Sequence, residues 1–211
     1  MSGKLNVVAD EESRAGPDAS YWKLIPSEFK LIQKVWPSKV DLFASHWNAQ
    51  LPSFFSWRTQ PQASGTNAFS VNWRGLSGYL FPPFALIFQC LEKIRRERSD
   101  VVLICPVWTG QAWFPVLLEL TCDVVLLLHQ KQDLVKSALN ETHPLLASNA
   151  LQLAVWRLSG DSFVSADFRQ KWSTYLWPEI ERGPSRLHTI PHGEIGHVGV
   201  CEQICIPCRQ I

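Results

Sequence analysis

Short apolar runs alternate with amphipathic stretches between residues 38 and 130. The runs are apolar at almost every position and end in polar or proline-containing turns, which is typical of strands buried on both faces. They cover residues 39–44, 78–81, 101–105 and 124–128. Residues 84–98 carry apolar side chains at helical spacing, and residues 111–120 form a further helical segment. This alternation predicts an α/β, Rossmann-like fold, in which helices flank a mostly parallel sheet.

The periodic pattern weakens on both sides of this core. A short helix is predicted before it, capped by Ser27 and ended by Pro37. After it, residues 150–158 predict another strand. Both ends of the chain lack an apolar period, so we expect poorly structured tails. The predicted segments are a tail (1–20), a lead-in helix (21–37), the α/β domain (38–160, with its core at about 38–130), an amphipathic helix (161–182) and a linker or disordered tail (183–211).

Composition permits one sizeable core and assigns no partner. The 211 residues are 46% hydrophobic with a net charge of +1, so any contact with DNA or RNA must come from a local patch. The N-terminus lacks the apolar segment of a secretion signal, and the longest apolar run, 114–128, is interrupted by Glu119 and Asp123. We therefore expect an intracellular protein, in the nucleus or cytoplasm, without a membrane partner.

Three cysteines near the C-terminus allow three interpretations. Cys201, Cys205 and Cys208 have the spacing of radical S-adenosylmethionine enzymes, which hold an iron–sulfur cluster beside a barrel, but no barrel is predicted here. The second interpretation is a small zinc site. It would add the nearby His188, His192 and His197. The third, which we favour, is a flexible tail that binds no metal.

The second half of the 84–98 helix is basic, with interleaved acidic residues. Its charged side chains are Glu92, Lys93, Arg95, Arg96, Glu97 and Arg98. A phosphate-binding patch and a solvated helix face both fit this composition. We favour the solvated face, with an i,i+4 ion pair such as Glu92 with Arg96.

Three segments follow the carboxyl ends of predicted strands, at residues 41–45, 81–84 and 106–111. An open doubly wound sheet binds its ligands at that edge, so these segments are the candidate site. Asp41 fits two roles there, since it could accept a hydrogen bond from a ribose hydroxyl or cap the turn after its strand. No G-x-G loop accompanies Asp41, so the sequence predicts an incomplete cofactor site.

The beginning of the chain carries a motif of its own. It reads GKLNVVAD at 3–10, followed by EESR at 11–14, and resembles the end of a retroelement ribonuclease H domain. The resemblance implies that Asp10 stands at the position of the last metal-binding carboxylate of that family. Two-metal hydrolysis needs several carboxylates, so we expect Asp10 to be a remnant whose partners lie upstream.

A second set of motifs covers most of the chain. It comprises VDLFAS (40–45), NAQLP (48–52), FFS (54–56), NAF (67–69), Trp73, YLFPPF (79–84), PVW (106–108), Gln111, WF (113–114) and, more loosely, AVWRLSG (154–160) and IPC (206–208). In this order the motifs resemble the segment that follows ribonuclease H in DIRS-type retrotransposons, which use a tyrosine recombinase in place of an integrase. That segment is in turn similar to phage-type adenine-specific DNA methyltransferases.

Methyl transfer to adenine needs a flipped base, an acceptor for its amino protons and an aromatic ring to stack on it. In the family that the motifs resemble, an Asp or Asn, two prolines and an aromatic residue meet these needs. Pro82, Pro83 and Phe84 match that pattern, whereas Phe81 occupies the acceptor position without a hydrogen-bonding group. The loss of such a bond typically costs about 1.5–3 kcal/mol, or roughly ten- to a hundredfold in rate.

The resemblance therefore implies a methyltransferase-like domain in a retrotransposon polyprotein fragment, impaired in methyl transfer but retaining nucleic-acid or S-adenosylmethionine binding. It assigns the degenerate catalytic motif to Phe81, Pro82, Pro83 and Phe84, the cofactor site to Asp41, Ala44 and Pro106, and contacts with a base or nucleic acid to Phe84, Trp108 and Gln111.

The same resemblance places reverse transcriptase and ribonuclease H modules upstream in the parent element and a recombinase downstream. Two alternatives stay open. One is an active adenine-specific DNA methyltransferase in which Asn67 or Asn72 supplies the acceptor. The other is a non-catalytic spacer between ribonuclease H and the recombinase. No metal is expected in any of the three.

Overall fold

The computed structural model describes residues 21–173, 195–202 and 204–211. Nine of its strands form one mixed sheet, and two short strands pair with each other. In chain order the strands are β1 (Lys23–Leu24), β2 (Val40–Asp41), β3 (Ser53–Ser56), β4 (Gly65–Thr66), β5 (Gly78–Leu80), β6 (Asp100–Pro106), β7 (Val125–Leu127), β8 (Val135–Lys136), β9 (Leu153–Ser159), β10 (Ile195–Cys201) and β11 (Ile204–Gln210). The α-helices are α1 (Pro26–Val35), α2 (Ile87–Glu97), α3 (Phe114–Leu120), α4 (Pro144–Ala147) and α5 (Ser162–Ser173).

The large sheet has the strand order β10-β11-β7-β9-β6-β5-β2-β3-β4. The half from β4 to β6 is parallel throughout. In the other half, β9 runs antiparallel between β6 and β7, β11 is parallel to β7, and β10 is antiparallel to β11. The predicted α/β class, a mostly parallel sheet with flanking helices, is confirmed at this coarse level.

The centre of the sheet is apolar because it is covered on both faces. β6 is buried from its second residue onward, and β9 is buried at every position except Arg157. On one side α2 contacts α3, and α3 contacts α5. Elsewhere α1 packs against the sheet through Phe29, whose ring lies 5.0 Å from that of Tyr79. Burial on both faces explains why these strands are continuous apolar runs.

The strands predicted from apolar runs are present as β2, β5, β6, β7 and β9. β2 is shorter than predicted because its last residue, Asp41, already caps the following turn. β3 and β4 were not predicted, since they have only four and two residues.

Helix α1 begins one residue before the predicted cap. Pro26 occupies the first helical turn, and the N-cap residue Ile25 makes no side-chain capping bond, so the predicted role of Ser27 is wrong. Proline suits this position because its missing N–H would have no intrahelical partner there. The predicted end is confirmed, since α1 ends at Val35, before Pro37.

Lys93 lies inside the protein, and its prediction as part of a solvated face is wrong. Its side chain is 4% exposed, and its Nζ donates to Oε1 of Glu97 at 2.5 Å. Glu92 pairs with Arg95, with 3.7 Å between N and O, rather than with Arg96. The i,i+4 spacing is therefore used by Lys93 and Glu97, on the half-buried side of α2.

The described part of the C-terminal segment differs from the predicted tail. Residues 195–201 and 204–210 form the hairpin of β10 and β11, and β11 extends the sheet beside β7. Glycine and proline obscure any apolar period here, while the edge of the existing sheet supplies the backbone partners that make these residues strands. The remainder of the predicted tail, residues 183–194 and 203, lies outside the described residues, as do residues 174–182 of the predicted amphipathic helix and residues 1–20 with Asp10.

Candidate functional site

The three candidate segments lie at one edge of the sheet. β2, β5 and β6 are adjacent and parallel, so their carboxyl ends carry residues 41–45, 81–84 and 106–111 to the same side. After β2 the chain builds β3 and β4 on one side and then crosses to β5 on the other. The order therefore reverses between β2 and β5, which is where doubly wound folds bind ligands.

Asp41 serves as a turn cap in this conformation. Its carboxylate is 2% exposed and accepts from the Phe43 N–H at 3.3 Å and from the Gln50 N–H at 3.1 Å. Burial raises the pKa of Asp41 to about 7, although both hydrogen bonds act in the opposite direction. Of the two roles predicted for Asp41, capping is therefore present, and ribose binding stays a prediction.

The loop after β2 is closed by its own side chains. Ala44, a predicted cofactor residue, is fully buried, and its N–H donates to the Phe55 carbonyl at 3.0 Å. Phe43 packs between Phe69 and Trp73, with ring centroids 5.3 and 6.0 Å away. A glycine-rich loop would leave backbone N–H groups facing a ligand. In this loop the N–H groups of Phe43 and Ala44 are instead bonded to Asp41 and Phe55.

All four residues of the degenerate motif are buried at the end of β5. Phe81 and Phe84 are each 6% exposed, and Pro82 and Pro83 between them are buried as well. The Pro83 carbonyl accepts from the Leu86 N–H at 2.9 Å, which starts the turn leading into α2. The motif is therefore formed as a segment, but its aromatic ring is not open to solvent.

An aromatic cluster covers the motif and consists of Trp22, Phe84, Trp108 and His143. The rings of Phe84 and Trp108 meet edge to face at 5.2 Å, as expected if both belong to one site. His143 lies 5.9 Å from Phe84 and 4.4 Å from Trp22 between ring centroids. The predicted base-contact residues Phe84 and Trp108 are thus in contact with each other. Trp22 and His143 complete the cluster and were not predicted.

His143 is held by its role in α4. Its Nδ1 accepts from the Leu145 N–H at 3.1 Å, so it is the N-cap of that helix. It is fully buried, and burial lowers its pKa to about 4, which keeps the imidazole neutral at physiological pH. The His143-Pro144 pair is a recognisable helix start, but nothing in the sequence places it beside Phe84.

Pro106 and Gln111 close the end of β6. Pro106 is buried and pairs with Leu153 of β9. Gln111 is half-buried, and its N–H donates to the Trp108 carbonyl at 3.1 Å, which forms a tight turn. Both predicted residues lie at the expected edge, and the turn between them leaves Thr109 and Gly110 exposed.

A short piece of the lead-in, residues 22–24, lies across this edge and is named here the cover segment. The Gln50 Nε2 donates to the Leu24 carbonyl at 2.6 Å, and the Asn48 Nδ2 donates to the Trp22 carbonyl at 3.4 Å. In the other direction, Lys23 Nζ donates to the Trp47 carbonyl at 3.2 Å. β1, within the cover segment, pairs with the two-residue strand β8.

Beneath the cover segment lies a narrow crevice. It is lined by Trp22, Leu24, Asp41, Phe43, Asn48, Gln50, Tyr79 and Phe81. Its open volume is about 160 Å³ and includes no space for a water-sized molecule. Tyr79, one of the lining residues, has a buried hydroxyl without a hydrogen-bond partner.

Neither amide proposed as a substitute acceptor lines this crevice. The Asn67 Oδ1 accepts from the Phe69 N–H at 3.1 Å, and the Asn72 Oδ1 accepts from the Arg74 N–H at 2.7 Å. Both bonds are local turn caps of the kind that Asn favours. Both side chains therefore stabilise local turns.

A roomier cavity of about 230 Å³ lies at the opposite edge of the sheet. It is bordered by the amino ends of β5 and β6 and by Ser38 and Arg157. None of the candidate residues lines it. Because doubly wound sheets bind ligands at the carboxyl ends of their strands, its size does not make it the better site.

The described residues contain no group of three or more His, Cys, Asp or Glu side chains placed to hold a metal ion. Cys208 is buried in β11, where burial raises its pKa to about 12 and so disfavours the thiolate that binds metals. His188 and His192 lie outside the described residues. Within the described ranges, no helix has the length and apolar character needed to cross a membrane.

Neither the models of known protein families nor the curated proteins yield a match to this sequence.

Proposed function

We propose that this chain is a methyltransferase-like domain of a DIRS-type retrotransposon polyprotein in which efficient methyl transfer to adenine has been lost. The observation that carries the proposal is the position of the Phe81-Pro82-Pro83-Phe84 segment. It directly follows β5 at the point where the strand order reverses, and Phe84 contacts Trp108 from the neighbouring strand end. An adenine-binding motif in a doubly wound sheet belongs at this position.

The strand order also supports the proposal. If β2, β3, β4, β5, β6, β7 and β9 are numbered one to seven along the chain, the sheet reads 3-2-1-4-5-7-6. Strand seven, β9, is antiparallel to both of its neighbours. The first five positions are those of the Rossmann fold. A reversed seventh strand inserted beside the fifth is typical of S-adenosylmethionine-dependent methyltransferases.

Two features argue for impaired chemistry. Phe81 has no group that could accept the amino protons of adenine, and a lost hydrogen bond of this kind costs roughly ten- to a hundredfold in rate. The crevice between Asp41 and Phe81 has no room for a ligand in this conformation. The stacking partner Phe84 and the backbone of Pro82 are kept.

The residues at the site fit S-adenosylmethionine in part. Asp41 and the unpartnered Tyr79 hydroxyl offer an acceptor and a donor for a polar ligand group. The loop after β2 offers no free backbone N–H groups of the glycine-rich kind. The cofactor would supply the methyl group, and the chain would hold and orient it against a stacked base.

The test is incubation of the purified protein with radiolabelled S-adenosylmethionine and either double- or single-stranded DNA, alongside an active adenine methyltransferase. We expect methylation of adenine at roughly a tenth to a hundredth of the rate of the active enzyme. Calorimetry with S-adenosylmethionine measures binding separately from transfer. Robust formation of methylated adenine would refute the loss of activity.

A second candidate, a spacer that binds no ligand, is favoured by the filled crevice. In this case the fold would only connect the ribonuclease H and recombinase modules. The same calorimetry distinguishes the two, because a spacer gives no heat of binding with S-adenosylmethionine, with S-adenosylhomocysteine or with DNA.

A further inference from the structure

The Tyr79 hydroxyl is the least satisfied polar group at the candidate site. Tyr79 is 1% exposed, and its hydroxyl has no hydrogen-bond partner. Its ring is fixed, because it meets Phe29 of α1 edge to face at 5.0 Å. A buried hydroxyl without a partner is destabilising, and replacement by phenylalanine would remove that cost. Because Tyr79 lines the candidate crevice, a polar ligand there could supply the missing partner.

Asp41 lies beside Tyr79 and lines the same crevice. The two residues are direct neighbours in the parallel pairing of β2 with β5, and both border the recess beneath the cover segment. Burial and the nearby Asp41 carboxylate raise the pKa of Tyr79 well above its usual range. An acceptor and a donor therefore face one small space from adjacent strands.

The cover segment is attached to the loop beneath it by a few hydrogen bonds and lies outside the large sheet. Side-chain bonds from Asn48 and Gln50 and the bond from Lys23 link it to residues 47–50, and β1 pairs with β8 over two residues. Leu24 fills the recess and is fully buried. Residues 22–24 can thus be displaced without breaking any pairing in the large sheet.

Resting on the proposed function, we infer that Tyr79 and Asp41 form the hydrogen-bonding floor of the cofactor recess, which the cover segment occludes until a ligand with a ribose diol displaces it. One ribose hydroxyl donates to the Asp41 carboxylate, and the other accepts from the Tyr79 hydroxyl. Phe43, Phe81 and Trp22 surround this floor with the apolar surface that a nucleoside needs.

The first variant is Tyr79→Phe, which keeps the ring and removes only the hydroxyl. Affinity for S-adenosylhomocysteine, measured by calorimetry, should fall about tenfold, the value of one hydrogen bond. The melting temperature should stay the same or rise, because the unpartnered hydroxyl is gone. Opposite effects on affinity and stability separate a binding role from a structural one.

The second variant is Gln50→Ala, which removes the bond to the Leu24 carbonyl and leaves the Gln50 backbone bond to Asp41. A larger open population should tighten binding by at least about threefold. Asn72→Ala is the matched control, because it removes an exposed amide that caps a turn away from the crevice. Its affinity should equal that of the wild type.

A series of ligands with and without ribose hydroxyls tests whether Tyr79 bonds to the ribose. Adenosine should show the same Tyr79→Phe effect, whereas 2′,3′-dideoxyadenosine should bind the wild type and the variant equally. If the wild type binds S-adenosylhomocysteine and Tyr79→Phe binds it equally well, the inference is wrong and the proposed cofactor binding stands. If neither the wild type nor Gln50→Ala binds any of these ligands, the inference and the proposed cofactor binding are both wrong.

Discussion

At the scale of single residues, Phe81 is the side chain on which the proposed loss of methyl transfer depends. It lies at the end of β5 where the related motif has an Asp or Asn, and it borders the crevice together with Asp41. The ring adds apolar surface and no acceptor. Pro82, Pro83 and Phe84 keep the backbone and the aromatic face of the motif. The loss of function that we propose therefore rests on one side chain and on the closed crevice around it.

Phe81→Asn should restore the missing acceptor. We expect methyl transfer to adenine to increase by roughly ten- to a hundredfold, because an acceptor for the amino protons stabilises the transition state by about 1.5–3 kcal/mol. The measurement is incorporation of labelled methyl groups into DNA. Phe81→Leu, which shrinks the side chain without adding an acceptor, is the control and should leave the rate unchanged. Equal rates in both variants would show that the acceptor is not what limits the reaction.

Asp41 and His143 give stability opposite dependences on pH. The folded pKa of Asp41 is raised from 3.8 to about 7 by burial, so the folded state binds more protons than the unfolded state in that range. Stability from Asp41 is thus present below pH 4 and lost as the pH rises to 7, by up to about 4 kcal/mol. The folded pKa of His143 is lowered from 6.5 to about 4, so its contribution is present above pH 6.5 and lost on acidification.

The variants Asp41→Asn and His143→Asn should each show how stability depends on pH when only one of the two groups is left. In Asp41→Asn the pH dependence that is due to His143 remains, so the free energy of unfolding should rise between pH 4 and 6.5. In His143→Asn, where the amide can still cap α4, stability should fall between pH 4 and 7. Urea unfolding at half-unit pH steps provides both curves. Parallel curves for the two variants and the wild type would contradict the assignment of these groups as the buried titrating pair.

At the scale of elements, α2 is fastened to the sheet edge through a buried lysine. Lys93 Nζ donates to the Phe69 carbonyl at 3.1 Å and to Glu97, and it lies 5.2 Å from the centre of the Trp73 ring. Glu97 in turn accepts from the Trp73 N–H at 2.7 Å. One charged pair thus connects the helix to the loop between β4 and β5. Helical periodicity alone predicted that Lys93 is exposed to solvent, because charged residues in such a pattern are assigned to the solvent-facing side of the helix.

Lys93→Met should destabilise the protein by about 2–3 kcal/mol, since it leaves the Phe69 carbonyl and the Glu97 carboxylate without their partner. Arg96→Met is the control on the same helix. Arg96 is 73% exposed and 3.7 Å from Glu97, so its loss should cost less than about 0.5 kcal/mol. Urea unfolding measures both. Similar losses in the free energy of unfolding for the two variants would mean that the buried Lys93–Glu97 pair stabilises the protein no more than the exposed Arg96–Glu97 pair.

At the scale of the whole molecule, the described C-terminal residues complete the sheet. β11 pairs with β7, and Val198, Ile206 and Cys208 join the buried core. The hairpin also covers α3, since Gly199 approaches Leu118 so closely that an added Cβ would lie 2.7 Å from its Cδ1. We therefore expect the residues that were predicted to be a tail to unfold together with β2 to β9.

Ile206→Ala tests this directly. Ile206 is fully buried, so we expect a loss of about 2–4 kcal/mol from the removed apolar contacts and the cavity left behind. Ile195, in the same hairpin, is 55% exposed, and Ile195→Ala should cost less than about 0.5 kcal/mol. Thermal or urea unfolding should show one transition in each case. An unchanged stability for Ile206→Ala would mean that the hairpin is not part of the cooperative core.

The sequence pattern located the central sheet and the edge that carries the candidate site. β6 and β9 are apolar runs because both of their faces are covered, and the proline pair after β5 marks where that strand ends. The pattern did not locate β3 and β4, because they are very short, or the final hairpin, because its apolar residues are interrupted by glycine and proline. Nor did it reveal the cover segment or His143, because their positions depend on contacts between residues far apart in the chain.

What the sequence determined by itself was the α/β class, the apolar strands β2, β5, β6, β7 and β9, the apolar side chain at position 81 and the absence of a glycine-rich loop after Asp41. These properties are local, since each depends on a few consecutive residues. The tertiary structure alone decided that Asp41 and Tyr79 share a recess, that residues 22–24 close it and that Lys93 is buried. Each of these depends on which surfaces meet when the sheet forms, and a one-dimensional pattern records a residue's polarity without recording the partner that makes its burial tolerable.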